Sequence, residues 1–153
     1  MDQPPPPPRR VDRLPGELTR GWATALTAVW ALITMSFAAL WVSARNTGLS
    51  TWWLGPDTDP RPIVVSILPA AISAMVAAHT ANSGRWAPWF GIVGSICLGG
   101  VAAGDLGRVD GYALVEFALA SGGLLASLAS FAGLLRAPRT PSETAGTTDS
   151  VTS

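Results

Sequence analysis

Four long apolar segments, residues 21–43, 63–81, 87–103 and 111–135, alternate with short polar stretches along the chain. At a rise of about 1.5 Å per residue, helices of these lengths are roughly 25–37 Å long, which suits a hydrocarbon core of about 30 Å. A soluble helix normally carries a charged face, and these segments have few charges. The pattern therefore predicts an all-α fold, an integral membrane four-helix bundle.

Helical wheels separate small side chains from large ones in these segments. The small stripes comprise Thr24, Thr27, Ala28, Ala31, Met35 and Ala38 in the first span, Ser66, Ala70, Ser73, Ala77 and Thr80 in the second, Gly91, Ser95, Gly99 and Ala103 in the third, and Glu116, Ala120, Gly123, Ser127 and Ser130 in the fourth. The large residues opposite them include Trp22, Leu26, Val29, Trp30, Ile33, Phe37 and Leu40 in the first span. Because small residues let helix backbones approach closely in lipid, we expect the small faces to point inward. Chance spacing in spans rich in Ala and Gly is the alternative.

Two local features shape the path of the chain. Pro69 lies inside the second span, where it should remove one backbone hydrogen bond and kink the helix. The connection at about residues 82–86 is short, so the second and third spans should be antiparallel neighbours.

Arginines near the spans predict the orientation, because positive charge is enriched on the cytoplasmic side. One set of segments carries Arg9, Arg10, Arg13, Arg20, Arg85, Arg136 and Arg139, whereas the other carries Arg45, Arg61 and Arg108. We therefore expect a multi-pass protein of a bacterial inner membrane with both termini in the cytoplasm. Residues 1–20 read as a disordered Pro/Arg-rich tail, and residues 136–153 as a disordered Ser/Thr-rich tail.

Composition excludes several classes of function. The formal net charge is zero, which gives no electrostatic case for nucleic acid. Cys97 is the single cysteine, so no CxxC metal site exists, and no phosphate-binding or hydrolase motif is present. We predict no enzyme activity, no cofactor and no metal. The expected partners are the lipid bilayer and a membrane protein or a second copy of the chain.

Glu116 is the only acid well inside a predicted span. An ionisable residue in a membrane is costly and suggests a functional site, here one for a transferable proton. The competing interpretation is structural: Glu116 would bond to Ser66 or meet Arg108 near the outer surface, without an acidic partner. Residues 105–110, which include Asp105, would form a solvated charged turn.

Trp52 and Trp53 stand in the segment "STWWLGPDTDPRP", residues 50–62, on the predicted outer side. Tryptophan favours the headgroup layer, so interfacial anchoring is the favoured interpretation. Trp41 already supplies an outer anchor for the first span, however. The alternative is that the pair caps the outer mouth of the bundle above Glu116.

The run "RNTGLSTWWLGP", residues 45–56, followed by "DPRP", resembles a loop of small four-span membrane proteins from high-GC actinobacteria. The resemblance implies a bacterial inner membrane and no particular activity.

Two functions remain open. The first is a structural or protein-interaction role, exerted through the outer loop or the tails. The second is a proton-coupled small-molecule transporter or channel subunit that uses Glu116; four short spans are few for a carrier, so this function requires an oligomer.

Overall fold

The computed structural model of the protein describes residues 16–82 and 84–134. Within these ranges it is helical and contains no strand. The helices are α1 (Arg20–Thr47), α2 (Ile63–Ser66), α3 (Leu68–Ala81), α4 (Ala87–Gly104) and α5 (Asp110–Ser130), and α5 is followed by a 3₁₀ turn at Phe131–Gly133. The predicted all-helical fold is therefore confirmed. The Pro-rich segment before residue 16 and the Ser/Thr-rich segment after residue 134 lie outside the described residues.

The second apolar segment forms two helices, which meet at Ile67. Pro69 lies in the first turn of α3, where the missing proline N–H costs no helical hydrogen bond. The interruption thus falls at Ile67, just before the first turn of α3 that contains the proline.

The four long helices form a ring in which α1 and α4 each pack against both α3 and α5. At one end of the bundle, Thr19 N donates to Gly133 O at 3.0 Å, and Leu18 pairs with Leu134 in an isolated bridge. Leu18 is fully buried, so the packed part of the chain begins before residue 20, earlier than the predicted end of the N-terminal tail. The opposite end, called the loop end below, carries residues 48–62 and the turn between α4 and α5.

In α1 the inward face is the large one. Leu26, Trp30, Ile33 and Phe37 are buried, whereas Met35 is 67% exposed. The prediction of a small inner face is therefore wrong for this helix, and Thr24, Ala28, Ala31 and Ala38 are exposed as well.

The reason is complementary packing around Trp30. A Cβ added at Gly94 would lie 3.1 Å from the Trp30 ring, and one at Gly123 would lie at the same distance from it. One added at Gly91 would lie 3.3 Å from Trp30 Nε1. The small residues of α4 and α5 thus form the hollow that a large side chain of α1 fills. Small faces on every helix would leave a cavity at the centre, and cavities are destabilising.

The small-inward prediction is confirmed in α5 and holds for most of the second segment. Glu116, Ala120, Gly123, Ser127 and Ser130 are all buried in α5, and Ser66, Ser73 and Thr80 are buried in the second segment. Two of these hydroxyls bond to α1: Thr34 donates to Ser73 at 3.0 Å, and Thr27 lies 3.1 Å from Thr80. Weakly polar contacts of this kind join helices that share an apolar surrounding.

Three stretches are long and apolar enough to cross a membrane, namely α1, α4 and the region Asp110–Gly133. The remaining long helix, Leu68–Ala81, is apolar but shorter. Many large apolar side chains point away from the bundle, among them Leu32, Val64, Met75, Ile96, Leu114 and Leu125. This outward distribution is typical of membrane proteins and unusual for a soluble monomer.

Candidate functional site

The segment of two tryptophans folds back into the loop end of the bundle. Trp53 is 1% exposed, although it belongs to a connection between helices. Its ring packs edge-to-face against Phe37 at 6.4 Å and against Trp41 at 6.5 Å between ring centroids. On the other flank, Ser66 Oγ donates to Trp53 O at 3.3 Å. Trp53 is therefore a core residue, and the headgroup-anchoring interpretation is wrong for it.

The polar edge of Trp53 meets the predicted candidate in α5. Its indole Nε1–H donates to Glu116 Oε1 at 3.0 Å, and both groups are buried. Such a bond places a charged or ionisable acceptor against a neutral donor in a dry site, where each depends strongly on the other. Glu116 is thus covered by Trp53, whereas a capping role for the pair stays a prediction.

Trp52 attaches the loop to the C-terminal end of α4. Its backbone N–H donates to Asp105 Oδ1 at 2.8 Å, and its indole Nε1–H donates to Val101 O, also at 2.8 Å. The ring lies across Gly104, where an added Cβ would come within 2.4 Å of Trp52 Nε1. Glycine at this position makes the close approach possible.

Asp105 and Glu116 form a buried carboxyl pair. Both are 0% exposed, and the Glu116 carboxyl is within hydrogen-bonding contact of Asp105. Burial raises the pKa of Asp105 above its usual value, while the bond from Trp52 N and the positive charge of Arg108 act in the opposite direction. One oxygen of each group, Asp105 Oδ2 and Glu116 Oε2, is buried and has no hydrogen-bond donor among the described residues.

This arrangement corrects two sequence-based expectations. Ser66 does not bond to Glu116; its hydroxyl reaches the backbone carbonyls of Trp53 and Arg61. Asp105 is a buried partner of Glu116 and no part of a solvated turn, although Arg108 in the same connection and Asp110 at the start of α5 are exposed. Asp105 stands directly after one apolar helix and shortly before the next. This position in the sequence could have indicated a contact between Asp105 and the first turns of the second of these helices.

The rest of the loop is held by Arg45, the basic residue in the last turn of α1. Its guanidinium forms a salt bridge with Asp57 and donates to Leu54 O at 3.3 Å. Gly55 turns the chain with a positive φ of 68°, and an added Cβ there would lie 2.9 Å from Asp59 O. Beyond this turn, residues 56–62 are all exposed. The loop thus has a buried half and an exposed half.

Other reactive side chains lie apart from this cluster. Cys97 is exposed on α4, and the imidazole of His79 packs on Phe90 with ring centroids 3.9 Å apart. Over residues 16–82 and 84–134, no three His, Cys, Asp or Glu side chains are grouped as in a metal site.

Comparison with known proteins gives no match: no family model, no curated protein and no solved structure is significantly similar to the chain. The resemblance of the outer loop to actinobacterial membrane proteins therefore stays a prediction.

Proposed function

We propose that the protein is a small multi-pass protein of a bacterial inner membrane that binds another protein through its outer loop, residues 51–62. Membrane insertion is supported by the length and apolar character of three helices and by the large apolar side chains on the outside of the bundle. The excess of arginine near the opposite end favours cytoplasmic termini and an outward loop.

The observation that carries the interaction role is the division of the loop into a buried half and an exposed half. Trp52 and Trp53 are tied to α4 and α5 through side-chain and backbone hydrogen bonds. The exposed half presents Asp57 and Asp59 with three prolines and Arg61. A loop that is ordered before binding loses less conformational entropy on association, which favours recognition.

Site-specific photo-crosslinking in native membranes tests this role. A photoreactive amino acid at Thr58, in the exposed half of the loop, should yield one reproducible adduct. The same group at Asn82, exposed at the opposite end, is the matched control and should not yield it. Trp53→Ala should weaken the Thr58 adduct by releasing the loop. An equal adduct from both positions, or none from Thr58, would contradict the proposal.

A second candidate, a proton-coupled transporter or channel subunit, is supported by the burial of Glu116 against Asp105. Its test is proton flux into liposomes that contain the purified protein. Glu116→Gln should abolish the flux, whereas Asp110→Asn, a change at an exposed acid of the same helix, should preserve it. A flux that is absent, or unchanged by Glu116→Gln, would reject the candidate. A strict monomer in detergent would also count against it.

A further inference from the structure

The hydrogen-bond donors around the buried carboxyl pair do not satisfy its oxygens. Trp52 N donates to Asp105 Oδ1 at 2.8 Å, and Trp53 Nε1 donates to Glu116 Oε1 at 3.0 Å. Asp105 Oδ2 and Glu116 Oε2 are left buried without such a donor, while the two carboxyl groups are in hydrogen-bonding contact. A buried oxygen without a partner is costly, and two carboxylates in contact repel each other.

We propose that Asp105 and Glu116 bind one proton between them, and that this shared proton latches the outer loop onto the bundle. With one carboxyl protonated, its O–H donates to the free oxygen of the other, so a single proton satisfies both unpartnered atoms. The pair then carries one negative charge in place of two, as in other buried carboxyl pairs.

The link to the loop follows from the two remaining bonds. Both donors to the pair, Trp52 and Trp53, belong to the loop, whereas the acceptors lie at the end of α4 and in α5. Loss of the shared proton leaves two like charges at a dry site. Water can relieve that repulsion only if the covering tryptophans withdraw, so deprotonation releases the loop from the bundle.

The charged groups around Asp105 and Glu116 fit a pair that holds one proton and one negative charge. Arg108, in the turn after α4, lowers the cost of one carboxylate at Asp105 but is itself exposed. On the loop, Arg45 is engaged by Asp57 and Arg61 is exposed. From α5, the hydroxyl of Tyr112 bonds to Ser43 of α1 at 2.9 Å. The faces of α1 and of the second segment that cover Trp53 contribute aromatic rings and the Ser66 hydroxyl.

A shared proton also fits the number of free oxygens better than a metal cation does. The pair offers two, and the buried hydroxyl of Thr51, beside Trp52 in the chain, is a third that has no partner within residues 16–82 and 84–134. Calcium takes about six to eight oxygen ligands and magnesium about six.

This inference rests on the proposed role of the loop for its biological meaning, because release would alter the surface offered to a partner. Its test does not depend on any partner. If the Thr58 crosslink is not found, the shared proton can still hold the loop on the bundle. If the shared proton is disproved, a crosslink at Thr58 would have to come from a permanently fixed loop.

The test measures how often the loop opens. In a Cys97→Ser background, cysteine is placed either at Thr51, which is 1% exposed, or at Thr58, which is exposed. Both variants are labelled with a maleimide in detergent at a series of pH values between about 5 and 9. The rate ratio of Thr51→Cys to Thr58→Cys removes the intrinsic pH dependence of the thiol.

If the carboxyl pair releases one proton when the loop opens, the ratio of labelling rates should rise with pH, by up to about tenfold per pH unit. Glu116→Gln and Asp105→Asn each keep an acceptor for the tryptophan and add a permanent N–H donor to the pair, so either change should make the ratio independent of pH. The matched control Asp110→Asn should retain the rise. A flat ratio in the parent, or an equal rise in both amide variants, would overturn the proposal.

Two further measurements keep the result interpretable. If Thr51→Cys fails to fold, as judged by circular dichroism, Leu54→Cys at another 1% exposed loop position replaces it. Labelling is repeated with added calcium chloride. A fall in the ratio produced by calcium at constant pH and ionic strength would identify a cation site and reject the proton.

Discussion

The indole N–H of Trp53 donates to the carboxyl group of Glu116 at 3.0 Å across 63 residues of sequence. This bond joins a connecting loop to the interior of a helical bundle and places an aromatic ring over an ionisable group. The loop end is therefore a packed structure with its own core, and changes there should alter stability as changes in a hydrophobic core do.

Trp53→Phe tests the bond while keeping most of the ring. Glu116 Oε1 would lose its donor in a buried site, and we expect a loss of about 1–3 kcal/mol in the free energy of unfolding. Thermal unfolding in detergent measures it. Trp86→Phe is the control, because Trp86 is 55% exposed. Equal effects of the two substitutions would show that the bond contributes nothing.

Gly104→Ala tests the approach of Trp52 to α4. The new Cβ would lie 2.4 Å from Trp52 Nε1, so the ring must move, at a cost of about 1–3 kcal/mol. Gly100→Ala, one turn earlier in the same helix, meets nothing within 4 Å and should be neutral or stabilising by up to about 1 kcal/mol. Chemical denaturation of the two variants should give shifts of opposite sign or very different size.

Trp30→Ala tests the packing of the large face of α1 into the hollow of α4 and α5. Trp30 is fully buried, and removing its ring should cost about 3–5 kcal/mol through lost contacts and a residual cavity. Leu32→Ala on the same helix changes a side chain that is 67% exposed and should have little effect in detergent. If Leu32→Ala were the more damaging change, the inward face of α1 would be misassigned.

The stability of the protein should fall as pH rises. Burial raises the pKa of Asp105 from its model-compound value of 3.8, so the folded state holds this proton more tightly than the unfolded chain does. The contribution is complete below pH 3.8 and is lost as pH rises through the folded pKa. Melting temperature against pH measures it. Asp105→Asn should flatten the curve, whereas Asp59→Asn at an exposed acid should not.

The orientation can be tested in intact cells with a membrane-impermeant maleimide, again in a Cys97→Ser background. Thr58→Cys should be labelled from outside, because the arginine distribution predicts an outward loop end. Asn82→Cys, at the opposite end of the bundle, should react only after the cells are permeabilised. The reverse pattern would invert the topology and place the loop in the cytoplasm.

The helical segments follow directly from the amino-acid pattern, because a long apolar run without charges has few alternatives to a helix. Its spacing also gave the inward stripe of α5, including Glu116. The inward face of α1 needed the tertiary structure, since the position of Trp30 depends on the hollow formed by Gly91 and Gly94 in another helix. A wheel for one helix contains no information about the shape of its neighbours.

The candidate site likewise combines residues that the sequence indicates with contacts that only the tertiary structure creates. Composition singled out Glu116, Trp52 and Trp53 as separate features, each with more than one interpretation. Only the fold brought Trp53 onto Glu116 and buried Asp105 beside it, because these contacts join a loop, a helix end and a helix interior that are distant in the chain. Hydrogen bonds between such segments depend on how the helices are arranged, and that arrangement is decided by side chains far from the site.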